Sequence, residues 1–425
     1  MNEEIRLEHA IMDYDNEIKY CKKVLASGVT GEDREHAEAR LKEAEKWKKR
    51  LLKERDRLLN PKWQSYEDML KEEAQAKKKA KTIKVVYAEP ADYIPKDLRQ
   101  KYRLGEYHNV LTNEKIKYLI KSVMLGHAVG DALGVPVEFC TRDELDANPV
   151  TDMRGFGTYP YPAGTWSDDT SMSLCTLEAM SHEDWNLSKI MDNFVKWLDR
   201  GEFTPTGVCF DVGKTTERAI EAYKQGANPH ECGGAEEFDN GNGSLMRINP
   251  FVFYASITNI DYDFFRETIA KGSRLTHAHE RAIVGCQIYG YMLSFLLTEQ
   301  SKESLKRGID EAHNDLKDVA EISHYNRIFQ PNFAKLSRDE IKSSGYVVDT
   351  LEAAIWCLLT TDNYRDCVIK AVNLGEDTDT VAAIAGGLAG ALYGYDSIPK
   401  EWLDTLAKRE YIEEMCERAA KIWNN

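Results

Sequence analysis

From residue 113 onward, apolar residues recur at helical spacing in long runs, parted by short polar or glycine-bearing connections. "KIKYLIKSVMLGHAVGDALG", "DDTSMSLCTLEAM", "KIMDNFVKWLDR", "ERAIVGCQIYGYMLSFLLTE", "VVDTLEAAIWCLLT" and "TVAAIAGGLAGALYG" each predict a packed helix. Strand patterns are scarce and no fixed-period repeat marks a solenoid, so residues 113–425 are expected to form one large all-α domain.

The first 112 residues follow a different pattern. Leu7, Ile11, Tyr14, Ile18, Cys21 and Leu25 step alternately by four and three, the seam of a helix that buries one stripe against another. Ala37, Leu41, Ala44, Leu51 and Leu58 keep that phase after "ASGVTGED", which predicts an αα-hairpin over 1–60 that ends at Asn60-Pro61. Residues 61–112, with "KEEAQAKKKAKTIK" and little periodicity, read as a lysine-rich arm or linker. Such a run is most simply a solvated face, although residues 1–112 also offer a surface for a protein partner.

Charge and cysteine usage narrow the setting. With a net charge of −15 over 425 residues, general affinity for nucleic acid or an anionic membrane is not expected. The nine cysteines include no CxxC pair, the N-terminus lacks a signal-peptide pattern, and no window has the apolar length of a membrane span. The expected location is the cytoplasm.

The candidate chemistry lies where acids meet the starts of helices. "GEDTDT" puts Asp377 and Asp379 ahead of an apolar, small-residue run beginning near Val381. Positions two apart on a helix diverge by about 200°, so the two acids are expected on a loop that feeds it, with Thr378 or Asp379 as cap. "GTWSDDTSM" places Ser167, Asp168, Asp169 and Thr170 before a second helix in the same manner. One such loop would be an ordinary acidic cap. The doubled pattern, with hydroxyls beside carboxylates and neither cysteine nor histidine, points instead to two divalent ions, Mg²⁺ or Mn²⁺.

Three further stretches support a cleft. Gly126, Gly130 and Gly134 recur on one helix face and permit close backbone approach. Asp131 among them is expected to be a satisfied buried carboxylate, whereas Glu138, beyond Pro136, is free to face a cavity. "GNGSLMRINP" predicts a left-handed or nest-like turn at Gly241, Asn242 and Gly243, whose amides suit a phosphate, with Ser244 a possible helix cap. "THAH" reads equally as a helix cap or as a contact for phosphate or ribose through His277.

In order and spacing, "GHAVGDALGVPVEF", "GTWSDDTSM", "GNGSLMRINP", "THAHERAI", "GYVVDTLEAAIWCLL" and "AVNLGEDTDTVAAIAGGLAGALYG" resemble the ADP-ribosylglycohydrolase family over roughly 113–425. The resemblance implies an all-α fold with a binuclear metal cleft and removal of ADP-ribose from modified protein side chains or small molecules. It implies metal ligation by Ser167, Asp168, Asp169, Asp377, Asp379 and Thr380 and an acid near the metals at Glu138. Asn242, Gly243, Ser244 and His277 then fall in stretches that contact diphosphate and ribose, and Tyr346 near adenosine. Ser167 stands where threonine is usual, and Glu376 where a glycine is usual.

Cleaving a ribosyl bond requires water, proton transfer and stabilisation of an oxocarbenium-like state, work expected of Glu138 with Asp168 or Asp169. Arginine is the favoured acceptor, with serine, nucleobase and small-molecule linkages as alternatives. Two other readings share the motifs. One is an ADP-ribose-binding or toxin-neutralising protein in which residues 1–112 dominate. The other is a two-metal nucleotide phosphohydrolase.

Overall fold

The Thr112 hydroxyl accepts from the Lys115 amide and opens Asn113–Gly134 (α1), a helix buried almost throughout its second half. The computed structural model describes residues 112–257 and 262–423, with isolated positions 22, 41 and 42. The expected hairpin over 1–60 and the arm over 61–112 otherwise lie outside the described residues. The chain divides into two units, Met1–Pro90 and Ala91–Asn425, and α1 and all the following helices belong to the second.

In chain order come α2 (Arg142–Ala147), α3 (Asp168–Met180), α4 (Leu187–Arg200), α5 (Lys214–Lys224), α6 (Asn249–Ile257), α7 (Tyr262–Arg274) and α8 (Glu280–Thr298). There follow α9 (Lys302–Leu316), α10 (Val347–Leu359), α11 (Tyr364–Val372), α12 (Thr378–Tyr393), α13 (Lys400–Thr405) and α14 (Arg409–Trp423). Among the described residues there is no strand, only the isolated bridges Gly234 to His277 and Gly241 to Tyr346, so the all-α expectation holds. No described helix is long and apolar enough to cross a membrane.

The core is organised around α1 and α12, the most intimate helix pair. Small residues set their separation. A Cβ on Gly126 would lie 2.5 Å from the Gly386 carbonyl oxygen, and one on Gly130 2.1 Å from that of Ala382. Gly390 meets Ser122 in the same way, at 2.1 Å. Backbones this close leave no room for a methyl group, and overpacking such a seam costs about 1–3 kcal/mol. Helices α8, α10, α11 and α14 pack around the pair. The outer helices follow the usual amphipathic logic: α4 buries Ile190, Met191, Phe194 and Trp197, starts on an Asn186 cap and stops at left-handed Gly201.

One boundary differs from the expectation. α12 begins at Thr378, three residues before Val381, with Asp377 as its N-cap residue. The Thr378 hydroxyl donates to the Gly134 carbonyl at 2.9 Å, and the Asp377 amide to Ser343 at 3.0 Å. These ties draw the first turn down onto α1. Asp379 is therefore helical rather than in the feeding loop.

Candidate active site

The two acidic stretches are the N-termini of α3 and α12, and both rest on α1. Asp131, projecting from α1, accepts from the Ser167 amide at 2.8 Å, the Thr170 amide at 3.0 Å and the Thr170 hydroxyl at 2.6 Å. It is the expected satisfied carboxylate, and what it holds is the start of α3. Ser167 caps that helix, its hydroxyl near the Asp169 amide at 3.4 Å and the Asp169 carboxylate at 3.3 Å. Asp168 and Asp169 occupy the first turn, where the helix dipole favours negative charge.

At the start of α12, the Thr380 hydroxyl donates across to Asp169 at 3.3 Å, which joins the two helix ends directly. The backbone of Asp377, φ −91° and ψ 72°, is neither helical nor extended. Asp377 adds to the repulsion that raises Asp379, so the two acids lie near each other despite a spacing of two. Asn242 fixes Asp377 from outside by donating to its carboxylate at 2.8 Å, while the same amide reaches Thr350 at 3.0 Å.

Glu138 follows the short turn Val135–Val137 and is buried. One oxygen each of Glu138, Asp379 and Asp211 lies within 4.8 Å of the others. Sequence reasoning missed Asp211. It sits on the loop before α5 with φ 57°, a left-handed backbone that nothing in "CFDVGKTT" announces beyond an acid near a helix start. Strain of this kind gathers around the centre: Phe139 beside Glu138 has φ 63°, and Glu376 beside Asp377 has φ 62°. Glu376 therefore keeps the backbone conformation that glycine adopts readily, and its side chain is exposed.

Burial and mutual repulsion dominate the electrostatics. Asp168 is held well above the usual carboxylate range by burial, then by Asp211 and Asp169. Asp169 is raised by burial and by Asp131 and Asp377, and Asp379 by burial and by Glu138 and Asp211. Glu138 is raised by burial and by Asp211 and Asp377. Asp377 is raised by burial, against the Asn242 hydrogen bond, which pulls the other way.

Buried oxygens of Glu138 (Oε2), Asp169 (Oδ1) and Asp379 (Oδ2) have no hydrogen-bond partner. An unpaired buried carboxylate oxygen is expensive, and a hard divalent cation satisfies it. The all-oxygen set of carboxylates and hydroxyls fits such an ion.

The remaining expected site residues divide. Gly241, Asn242 and Gly243 border the acids, but neither glycine is left-handed. Space is required at Gly243, where a Cβ would meet the His277 ring carbon Cε1 at 2.8 Å, whereas a Cβ on Gly241 would reach the His277 Nε2 only at an ordinary 3.5 Å. His277 is buried beneath this turn with Nδ1 at 2.9 Å from the Thr276 hydroxyl, and burial pushes its pKa down to about 3. His279 is the cap of α8, its Nδ1 accepting from the Arg281 amide at 3.1 Å. Ser244 takes the N-cap position of the short turn Leu245–Arg247 without a side-chain cap bond: its hydroxyl faces the core, accepting from the Ser273 hydroxyl at 2.9 Å. Tyr346 pairs with Gly241 on the rim and has the Arg281 guanidinium 5.9 Å from its ring centre.

A family model described as ADP-ribosylglycohydrolase matches residues 112–425. The ADP-ribosylarginine hydrolase Tri1 of Serratia proteamaculans is 37% identical over 302 residues, 70% of this chain and 78% of the relative. The ADP-ribosyl-[dinitrogen reductase] glycohydrolase of Rhodospirillum rubrum is 32% identical over 286 residues, 66% of this chain and 88% of the relative. A solved structure titled "ADP-ribosylglycohydrolase-related protein complex" superposes with a TM-score of 0.61 at 29% identity, covering 73% of this chain and 99% of that one.

Proposed function

The chain belongs to the ADP-ribosylglycohydrolase family and is a hydrolase of glycosidic bonds, and from that premise we propose that it removes ADP-ribose from arginine side chains of modified proteins, using two divalent ions. The observation that carries this reading is the meeting of the α3 and α12 N-termini around carboxylate oxygens that have no protein partner. The arginine linkage is supported by the likeness to the Serratia hydrolase.

Ser167, Asp168, Asp169, Asp377, Asp379 and Thr380 would hold Mg²⁺ or Mn²⁺, with Asp131 and Asn242 orienting them. When bound, the ions supply Lewis acidity at the ribose hydroxyls and the attacking water. The chain's own residues supply the rest. Water adds to the anomeric carbon while the bond to the guanidine nitrogen breaks. One proton leaves the water and one reaches the departing nitrogen, so two exchanging groups are needed.

Glu138 and Asp211 are the pair placed for this exchange, close to each other and to Asp379. Asp211 takes the proton-transfer role expected of Asp168 or Asp169 in this reading, because its carboxylate oxygen lies within 4.8 Å of that of Glu138. The Gly241–Gly243 turn, whose Asn242 amide donates to the Gly345 carbonyl at 3.1 Å, would border the diphosphate, and Tyr346 would border the adenosine. His277 acts from below by supporting the turn, and Ser244 by anchoring its far end.

The family match begins at residue 112, which leaves the preceding segment outside the hydrolase and available to a protein partner. Free thiols throughout the described cysteines suit a cytoplasmic setting.

Incubation with ADP-ribosyl-arginine and ADP-ribosyl-serine peptides, in Mg²⁺ and in chelator, tests the proposal. Free ADP-ribose released from the arginine peptide only with metal is expected. AMP as product would identify a phosphohydrolase instead, and no product from either peptide would reject the reading.

A further inference from the structure

On the reading that this cleft is the hydrolase site, we infer that Tyr159 is a positioning residue that holds the Glu138 carboxylate through its hydroxyl and seats Asp211 through its ring. The turn that carries Tyr159 is fastened to the Glu138 segment at several points. Thr158 donates its amide to the Pro136 carbonyl at 2.8 Å and its hydroxyl to the Glu138 carbonyl at 2.6 Å. A Cβ on Gly157 would lie 1.7 Å from the same Pro136 oxygen, so the two backbones are in contact. Phe156 closes the turn by donating to Tyr161 at 2.7 Å.

From this base the Tyr159 hydroxyl interacts with the Glu138 carboxylate. A phenol carries its proton at neutral pH, so the hydroxyl is the donor and the carboxylate the acceptor. Its ring lies 5.0 Å from that of Phe210, which the Tyr161 ring also meets at 4.7 Å. Phe210 directly precedes Asp211.

The need for such a brace comes from the backbone. Asp211 itself and Phe139, the neighbour of Glu138, are both left-handed, with φ of 57° and 63°. Each costs a non-glycine residue about 1–2 kcal/mol, so neither segment holds this shape without tertiary restraint. Tyr159 is a side chain through which both strained segments are restrained together: its hydroxyl engages Glu138 and its ring packs on Phe210, the residue before Asp211. Supporting groups of this kind typically change metal affinity or activity by about 10–100-fold when removed.

The test compares Tyr159→Phe, which keeps the ring and deletes the hydroxyl, with Tyr161→Phe, which deletes a hydroxyl from the same turn. Mn²⁺ affinity is titrated on the substrate-free protein, kcat and KM are measured on an ADP-ribosyl-arginine peptide, and melting is followed by circular dichroism. Because the Glu138 and Asp211 oxygens lie within 4.8 Å of that of the proposed ligand Asp379, Tyr159→Phe is expected to lower kcat by roughly tenfold or more and to weaken Mn²⁺ binding by a similar factor, with KM within about twofold and melting unchanged. Tyr161→Phe is expected to match the wild type in all four. The inference is overturned if Tyr159→Phe equals the wild type in kcat and Mn²⁺ affinity, if Tyr161→Phe loses as much, or if the losses come with a lowered melting temperature. A wild-type protein that releases no ADP-ribose would reject the proposed function alone, because the Mn²⁺ titration still reports on Tyr159.

Discussion

Gly134 lies directly against Asp379: a Cβ on Gly134 would sit 2.3 Å from the Asp379 Cα and 2.4 Å from its nitrogen. One end of the α1–α12 seam therefore sets where a site carboxylate stands, and the other end, at Gly126 and Gly390, sets only packing. Substituting Gly134→Ala is expected to destabilise the protein by about 1–3 kcal/mol and to weaken Mn²⁺ binding. Gly126→Ala, which meets the Gly386 carbonyl, should lose comparable stability while Mn²⁺ affinity stays close to wild type. Chemical denaturation paired with metal titration separates the two effects, and equal loss of Mn²⁺ affinity in both variants would show that the seam acts as one rigid unit.

Asp131 holds α3 through two amides and a hydroxyl, all donors. Asparagine presents a donor of its own to that set. Asp131→Asn should therefore cost about 1–3 kcal/mol in denaturant and displace Asp168 and Asp169 enough to lower activity. Full stability in the variant would mean that the α3 N-terminus is secured elsewhere.

The pH dependence of metal stabilisation follows from the raised acids. A carboxyl raised in the folded state contributes stability below its unfolded pKa and loses it as pH rises through the folded value. Asp168, Asp169, Asp379 and Glu138 are all raised. The metal-free site thus becomes more costly from the ordinary carboxylate range upward, and Mg²⁺ relieves that cost by replacing protons. The rise in melting temperature on adding Mg²⁺ should grow between pH 5.5 and pH 8, with buried histidines cancelling from the difference. A rise that is flat or shrinks with pH would contradict this.

His277 gives an opposite, acid-side dependence. Its pKa falls from 6.5 to about 3 in the folded protein, so the stability it contributes is present above the unfolded value and is lost as pH falls toward the folded one. At pH 5 the loss amounts to about 2 kcal/mol. His277→Gln should therefore gain stability relative to the wild type as pH falls from 7 to 5, while buried His127, lowered to about 4, contributes alike in both proteins and cancels. A difference between variant and wild type that does not change with pH would exclude this role of His277.

Much of this architecture was legible in the sequence because it rests on local patterns. Helical periodicity gave the all-α core, the glycine spacing at Gly126, Gly130 and Gly134 gave the close seam, and repeated acid and hydroxyl groups marked both helix starts. What escaped depends on tertiary ties. Asp379 is helical because Thr378 and Asp377 are bonded to Gly134 and Ser343, partners far away in sequence. Gly243, beside Asn242, answers to the bulk of His277 rather than to a left-handed turn. Asp211 is aimed by a positive φ, which its residue type does not signal.

The central claim is that the α3 and α12 N-termini jointly hold a pair of divalent ions. Counting Mn²⁺ bound per chain in the wild type and in Asp168→Asn and Asp377→Asn tests it most directly. The account predicts two equivalents in the wild type and loss of tight binding in either variant, with both remaining folded. Two equivalents retained in both variants, or no tight Mn²⁺ in the wild type, would contradict it.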